Sequence, residues 1–189
     1  MAMIRPLLVL TGSLAVLTGL AYPLLVTGVA QAILPARAQG SLIVRQGQIR
    51  GSALIGQHTQ DPKQFWGRLS ATGGFPTHAA SSGGSNLAPS HPDLRARAVA
   101  RINALRAADP GHELPVPADL VTASASGLDP HITPAAADYQ IARVARFRGL
   151  ESTRVRQLVR EHTEGRTLGF LGEPRVNVLR LNLALEELR

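Results

Sequence analysis

The sequence predicts one N-terminal transmembrane helix followed by a single α/β (α+β) domain with a small mixed sheet and about three helices. Three observations carry this. Residues 6–36 form a run of 31 without a charge. Behind it lie three stretches with apolar residues at helical spacing, each with start and stop signals. Short β-type runs precede and follow those stretches.

The uncharged run lies between Arg5 and Arg37. At ~1.5 Å per residue it exceeds the ~30 Å hydrocarbon core of a bilayer. Ala36-Arg37-Ala38 has the form of a cleavage site, but a signal peptide's apolar core runs to only about 15 residues. An uncleaved anchor is therefore expected over 6–36, after a tail of residues 1–5. Pro23 removes one backbone donor near the middle, so a kink is expected there. Thr11, Ala15 and Gly19 make a small-residue stripe that would let a partner helix approach closely. Arg5 and the α-amino group flank one end, and Arg37, Arg45 and Arg50 the other. By charge alone, this tally leans towards a cytoplasmic C-terminal domain.

Residues 35–41 read as an exit linker, and residues 42–57 as a hairpin around Gly47 and Gly51. Residues 61–90, rich in Gly, Ser, Pro and Thr, read as irregular chain. Thirty residues of loop require ordering by packing or by a partner. Ser90 is expected to cap the first helix of the domain, with Pro92 in its first turn. Leu94, Ala98, Ile102 and Leu105 mark its inner face, and Asp109-Pro110-Gly111 its end. Thr133-Pro134 opens a second helix with Ile141, Val144 and Ala145 inward and Gly149 as stop. Ser152 opens a third, with Val155, Leu158, Val159 and His162 on one face and Gly165 at its end. Residues 175–185 begin as a strand, since Leu179, Leu181, Leu183 and Leu185 alternate. Leu181, Leu185 and Leu188 also fit a helix, which leaves that segment open.

Composition excludes several classes. With 44% hydrophobic and 17% charged residues, the chain is not disordered. It has no cysteine, hence no disulfide framework and no thiol nucleophile. Its one lysine, Lys63, sits in Asp-Pro-Lys-Gln-Phe, so there is no P-loop. The 20 basic and 13 acidic side chains are interleaved rather than patched, and aromatics are 4%. A nucleic-acid partner is not expected.

Chemistry-bearing candidates are few. His58, His78, His91, His112, His131 and His162 are scattered and fit no metal spacing. Asp129 with His131 makes at most half a metal site, so no metal is assigned. Ser124, Ser126, Asp129 and His131 lie close enough in sequence for a membrane-anchored envelope hydrolase with a Ser/His/Asp site. There is no GxSxG elbow to support one. Ser82, Gly83, Gly84, Ser85 and Asn86 form a loop whose backbone N–H groups could face phosphate oxygens; a tight turn is the commoner use of such glycines. Arg166, beyond a helix end, is free to bind an acid.

GSALIGQ (51–57), SGGSNLAPS (82–90), VPADLVTASASGLDPHITPAAADYQIARVA (116–145) and LVREHTEGRTLGFLGEPRVNVLRLNLAL (158–185) resemble the C subunit of the Kdp potassium-transporting ATPases. The likeness runs in order over essentially the whole chain. Ala125 stands where the family usually has glycine, and Thr133 where it has serine. The aromatic-rich stretch before SGGSN is thinned to Phe65, Trp66 and Phe75. The alanine weakens the case for a glycine-dependent nucleotide contact there.

The resemblance implies a non-catalytic small subunit of an ATP-driven potassium-uptake complex in the cell inner membrane. Its partners would be a channel-like potassium-translocating subunit and a P-type ATPase subunit that carries the phosphorylated aspartate. In agreement, this chain has no Asp-Lys-Thr-Gly run. Two roles follow from the likeness: assembly and stabilisation, or a catalytic chaperone that raises ATP affinity. No cofactor is expected on the subunit alone; ATP would be shared with the ATPase subunit. In the second role Ser82, Gly83, Gly84, Ser85, Asn86, Ser124, Ser126, Gly127 and Gln140 are the nucleotide-contact candidates. The likeness places residues 37–189 outside the cytoplasm, against the arginine tally.

Overall fold

The computed structural model describes residues 3–188, which divide into two compact units after Ser52.

In the first unit, helix α1 (Ile4–Val16), a π-helical turn (Leu17–Ala21) and helix α2 (Tyr22–Ile33) form one continuous run. This run, Ile4–Ile33, is 30 residues long with a mean hydropathy of 1.8 in its most apolar window. None of its residues is packed away inside the protein, as a membrane span requires of a helix without soluble neighbours. The irregularity expected at Pro23 lies in the turn before it. Pro23 has no N–H for the Gly19 carbonyl, and the chain widens so that Tyr22 N–H donates to Leu17 O instead. The expected linker contains a short helix, α3 (Pro35–Ala38). Strands β1 (Leu42–Arg45) and β2 (Gln48–Ser52) then pair antiparallel. Gln46 and Gly47 between them both have positive φ (52° and 75°), the two-residue turn whose twist suits a hairpin. The hairpin ends at Ser52 rather than near 57.

The second unit is built on Phe65, Trp66, Leu105, Leu120, Ile132, Ile141, Val144, Val155, Val159, Val176, Leu181 and Leu185, all buried. Helix α4 (Pro92–Ala108) is capped one residue later than expected: His91 Nδ1, not Ser90, accepts from Asp93 N–H at 3.2 Å. Its end is the expected Asp109, which is buried. That carboxylate accepts from Arg146 Nη1 (2.8 Å) and faces His112 Nδ1 (3.1 Å), tying α4 to the next long helix. A single turn, α5 (Ala118–Val121), follows. Strand β3 (His131–Ile132) leads into α6 (Pro134–Arg148). Here Thr133 Oγ1 accepts from Ala136 N–H (3.1 Å), and Gly149 takes the left-handed stop at φ 66°, both as expected.

Helix α7 (Ser152–Glu161) buries Val155, Leu158 and Val159. It stops before the expected Gly165, because Thr163 and Glu164 are taken up as strand β4. In the last segment only Arg175–Asn177 is strand (β5); Val178–Glu187 is helix α8. Asn177 settles the matter: its Oδ1 accepts from Arg180 N–H (3.1 Å) and starts the helix. Its Nδ2 donates to Ala53 O (2.8 Å). The sheet order is β3-β5-β4, antiparallel in both ladders. Leu69 and Ala123 form an isolated parallel bridge outside it.

The long loop is ordered by side-chain amides. Asn182 accepts from Phe65 N–H (2.8 Å) and donates back to Phe65 O (3.0 Å). Gln140 does the same for the next residue, accepting from Trp66 N–H (2.8 Å) and donating to Trp66 O (3.1 Å). The Trp66 ring carries a guanidinium against each of two contacts, Arg101 at 4.8 Å and Arg143 at 4.7 Å from its centre. Near the other end of the unit, Thr167 and Leu171 exchange two backbone hydrogen bonds of 2.9 Å. The acid that Arg166 binds is Glu173, at 3.0 and 2.8 Å. This knuckle holds Leu168, Phe170 and Leu171 exposed.

Removing either amide strands a buried backbone N–H and C=O, at about 1–3 kcal/mol per unpaired group. Gln140→Ala and Asn182→Ala should therefore each lower stability by about 3 kcal/mol. Urea unfolding of the detergent-solubilised chain reads this as an earlier midpoint with an unchanged slope.

Candidate functional site

The structure brings together two segments that lie 44 residues apart in sequence at Ser82 and Ser126. Gly83 N–H donates to Ser126 O (2.8 Å), and Ser82 Oγ donates to the same oxygen (3.1 Å). Gly84 lies so close to Ala125 that an added Cβ would stand 2.8 Å from the Ala125 carbonyl oxygen. Gly127 is buried with φ at 68°, and a Cβ there would meet Thr72 Cγ2 at 2.6 Å and Gly83 O at 2.7 Å. Ser70 Oγ donates to Gly127 O (2.7 Å) and accepts from Thr77 N–H (2.8 Å). These glycines permit close approach of backbone to backbone, the constraint that excludes any side chain.

Much of this clasp's polarity is turned inward. Ser126 Oγ accepts from Leu128 N–H at 3.1 Å. Ser124 is buried, and its N–H donates to Leu69 O at 3.3 Å. Asn86, at φ 51°, and Ser82 are exposed, while Gly83, Gly84 and Ser85 are half-buried. Gln140 takes no part in the clasp. It is buried, with hydrogen bonds to Trp66, to Ala136 O (3.1 Å) and from Arg143 Nη2 (2.6 Å). In the N-terminal helix, Thr11 and Ala15 fall in α1 and Gly19 in the π-helical turn, all three exposed.

Beneath the clasp, Asp129 is the hub of an ionic cluster. Its Oδ1 accepts from His131 N–H (3.0 Å) and faces His131 Nδ1 (3.2 Å); its Oδ2 accepts from Arg68 Nη1 (3.2 Å). Burial pushes the Asp129 carboxyl up, but the hydrogen bonds from His131 and the Arg68 charge outweigh it and hold the group below its ordinary value of 3.8. Among the described residues no serine hydroxyl is hydrogen-bonded to His131, so Ser124, Ser126, His131 and Asp129 are close without forming a nucleophile–base–acid relay. Asp129 serves the turn into β3.

Ser70 and Ser85 also face a cleft of about 400 Å³ along α4, lined further by His58, Arg97, Arg101 and Leu69. Sequence reasoning did not single out Arg101, although a signal was there. Leu94, Ala98, Arg101 and Leu105 share one helix face, so a guanidinium sits where an apolar residue belongs.

A family model described as "KdpC: K+-transporting ATPase, c chain" matches residues 4–187. The chain is 62% identical over 186 residues to a protein of Polaromonas naphthalenivorans (strain CJ2) named "Potassium-transporting ATPase KdpC subunit", covering 98% of this chain and 95% of that one. A protein of the same name from Herpetosiphon aurantiacus is 59% identical over 185 residues, 98% of this chain and 96% of the relative. Another from Variovorax paradoxus (strain S110) is 62% identical over 183 residues, 97% and 95% of the two chains.

Two outcomes follow. Gly127→Ala adds a methyl where neighbouring atoms leave no room and forces a left-handed alanine, itself about 1–2 kcal/mol. It should destabilise by more than 2 kcal/mol, whereas Gly83→Ala, whose Cβ meets nothing within 4 Å, should cost under about 1 kcal/mol; thermal unfolding compares them. The depressed Asp129 group stabilises the fold above its ordinary value of 3.8 and loses that contribution as pH falls through the lower folded-state value. Asp129→Asn should therefore lower stability at neutral pH and flatten its acid dependence below about pH 4, read from unfolding midpoints across a pH series.

Proposed function

This chain belongs to the KdpC family, the c chains of K+-transporting ATPases, and we propose that it is the non-catalytic small subunit that assembles and stabilises an ATP-driven potassium-uptake complex. The observation that carries the reading is the family match over residues 4–187, which takes in the apolar helix and all but the last two residues of the second unit. The partners we infer are a channel-like potassium-translocating subunit and a P-type ATPase subunit. In this reading the helix Ile4–Ile33 crosses the cell inner membrane, and the second unit lies on its extracytoplasmic side.

The knuckle at Leu168, Phe170 and Leu171 supports an assembly role. Clustered exposed apolar side chains on a braced turn are what a protein–protein contact uses. The clasp speaks to the nucleotide role. The Gly83 N–H that would meet a phosphate donates instead to Ser126 O, and Gln140 is sealed in the core. We infer that any rise in ATP affinity of the ATPase subunit is transmitted through assembly. Of the candidates in the glycine loop, Ser82 and Asn86 are exposed, and the Ser82 hydroxyl already donates to Ser126 O.

Co-purification tests this. The full chain, expressed with its neighbours in the membrane, should bring down two larger subunits. Gly19→Leu adds bulk on the Thr11–Ala15–Gly19 stripe without harming insertion. It should insert normally, lose the larger subunits and weaken growth at limiting potassium, while Leu17→Ala, off the stripe, should keep the complex. Protease added to spheroplasts should digest the second unit. Protection would overturn the orientation, and normal assembly of Gly19→Leu would reduce the helix to a tether.

A further inference from the structure

The cleft along α4 holds positive charge taken out of water with no acid beside it. Arg101 is 7% exposed. Its Nε donates to Leu120 O (3.1 Å) and its Nη2 to Gly67 O (2.8 Å), while its plane rests on Trp66. Burial draws its pKa down to about 10. Carbonyl dipoles and a ring face ease a desolvated charge, but they do not balance it. Arg97, one turn earlier on α4, lines the same cleft, is exposed, and is in no ion pair among the described residues, although Asp93 stands one turn before it. His58 adds a third nitrogen group, and no carboxylate lines the cleft. Ser85 brings a hydroxyl from the glycine loop. Gln60 and Ser70 add uncharged polar groups, and the rest of the wall is apolar, with Leu69, Leu94 and Val121.

This combination selects a ligand class. Guanidinium and hydroxyl donors without acids reject cations and favour a carboxylate or phosphate oxygen. An apolar wall in a cleft of about 400 Å³ favours a compact hydrocarbon body over a bare inorganic ion. We propose that this cleft binds a small organic anion, with its head at Arg97 and Ser85 in the field of Arg101 and its body against Leu69, Leu94 and Val121. Occupancy joins α4 to the loop that precedes it and so stabilises the folded unit by mass action. The proposal needs no partner subunit and stands apart from the assembly role.

The test uses the full chain in phospholipid nanodiscs and fluorine NMR of 4-fluorobenzoate and 4-fluorophenyl phosphate, with 4-fluorobenzyl alcohol as the uncharged counterpart. At least one anion should show saturable line broadening, and the better of the two identifies the head group. The alcohol should bind at least about tenfold more weakly. Arg97→Gln should weaken anion binding about tenfold, the share expected of one charge-assisted contact. Ala104→Phe, which fills the cleft from its exposed rim, should abolish it. Both positions are exposed, so both variants should keep the parent's circular dichroism and unfolding midpoint without ligand. Arg101 is left intact because it also holds Leu120 and Gly67. Failure of both anions to saturate, equal binding of the alcohol, or parent-like binding by both variants would each overturn the site.

Discussion

The core of the second unit depends on two side-chain amides. Between the hairpin and α4 the chain runs for almost forty residues with no helix and no regular strand, yet it passes through the centre of the core at Phe65 and Trp66. A buried backbone without a ladder must find partners elsewhere. Gln140 from α6 and Asn182 from α8 supply them, each engaging the N–H and C=O of one residue as a neighbouring strand would. The two guanidiniums on Trp66 then fix the ring, and Arg143 Nη2 closes the set by donating to Gln140 Oε1. Everything that the loop presents at the surface, including the glycine clasp and one side of the cleft, hangs from these bonds.

The elements that sequence made legible are those whose signals are local. Thr133 and Gly149 bound α6 through their own backbone preferences, and the apolar spacing of Val155, Leu158 and Val159 sufficed for α7. The errors arose where a distant partner competes. Helix α7 ends early because Thr163 and Glu164 find Val176 and Arg175 across the sheet. The leucine run 179–185 satisfies strand and helix periods alike, and the deciding residue, Asn177, reads as a cap only when weighed against that periodicity. His91 displaces Ser90 because a ring nitrogen can reach the Asp93 N–H as well as a hydroxyl can.

The candidate site was legible in part. Glycines at 83, 84 and 127 advertised unusual backbone, but a sequence cannot say whether such backbone faces a ligand or another loop. Here the two loops face each other. Family likeness points to Gln140, but its place against Trp66 is visible only in three dimensions. Arg101, Gln140, Arg143 and Asn182 have one trait in common: each is a polar residue on the inward face of an amphipathic helix. Breaks of that kind in an apolar pattern mark the polar framework of this core better than its glycines do.

Trp66 is the chain's single tryptophan, and it lies at the junction of loop, α4 and α6 with two guanidiniums 4.8 and 4.7 Å from its ring centre. Its fluorescence therefore belongs to one known place, and its emission is a reporter that requires no label. The indole is 3% exposed, so loosening of the loop would admit water and shift the emission to the red. A change in the state of the second unit would then be followed optically in real time.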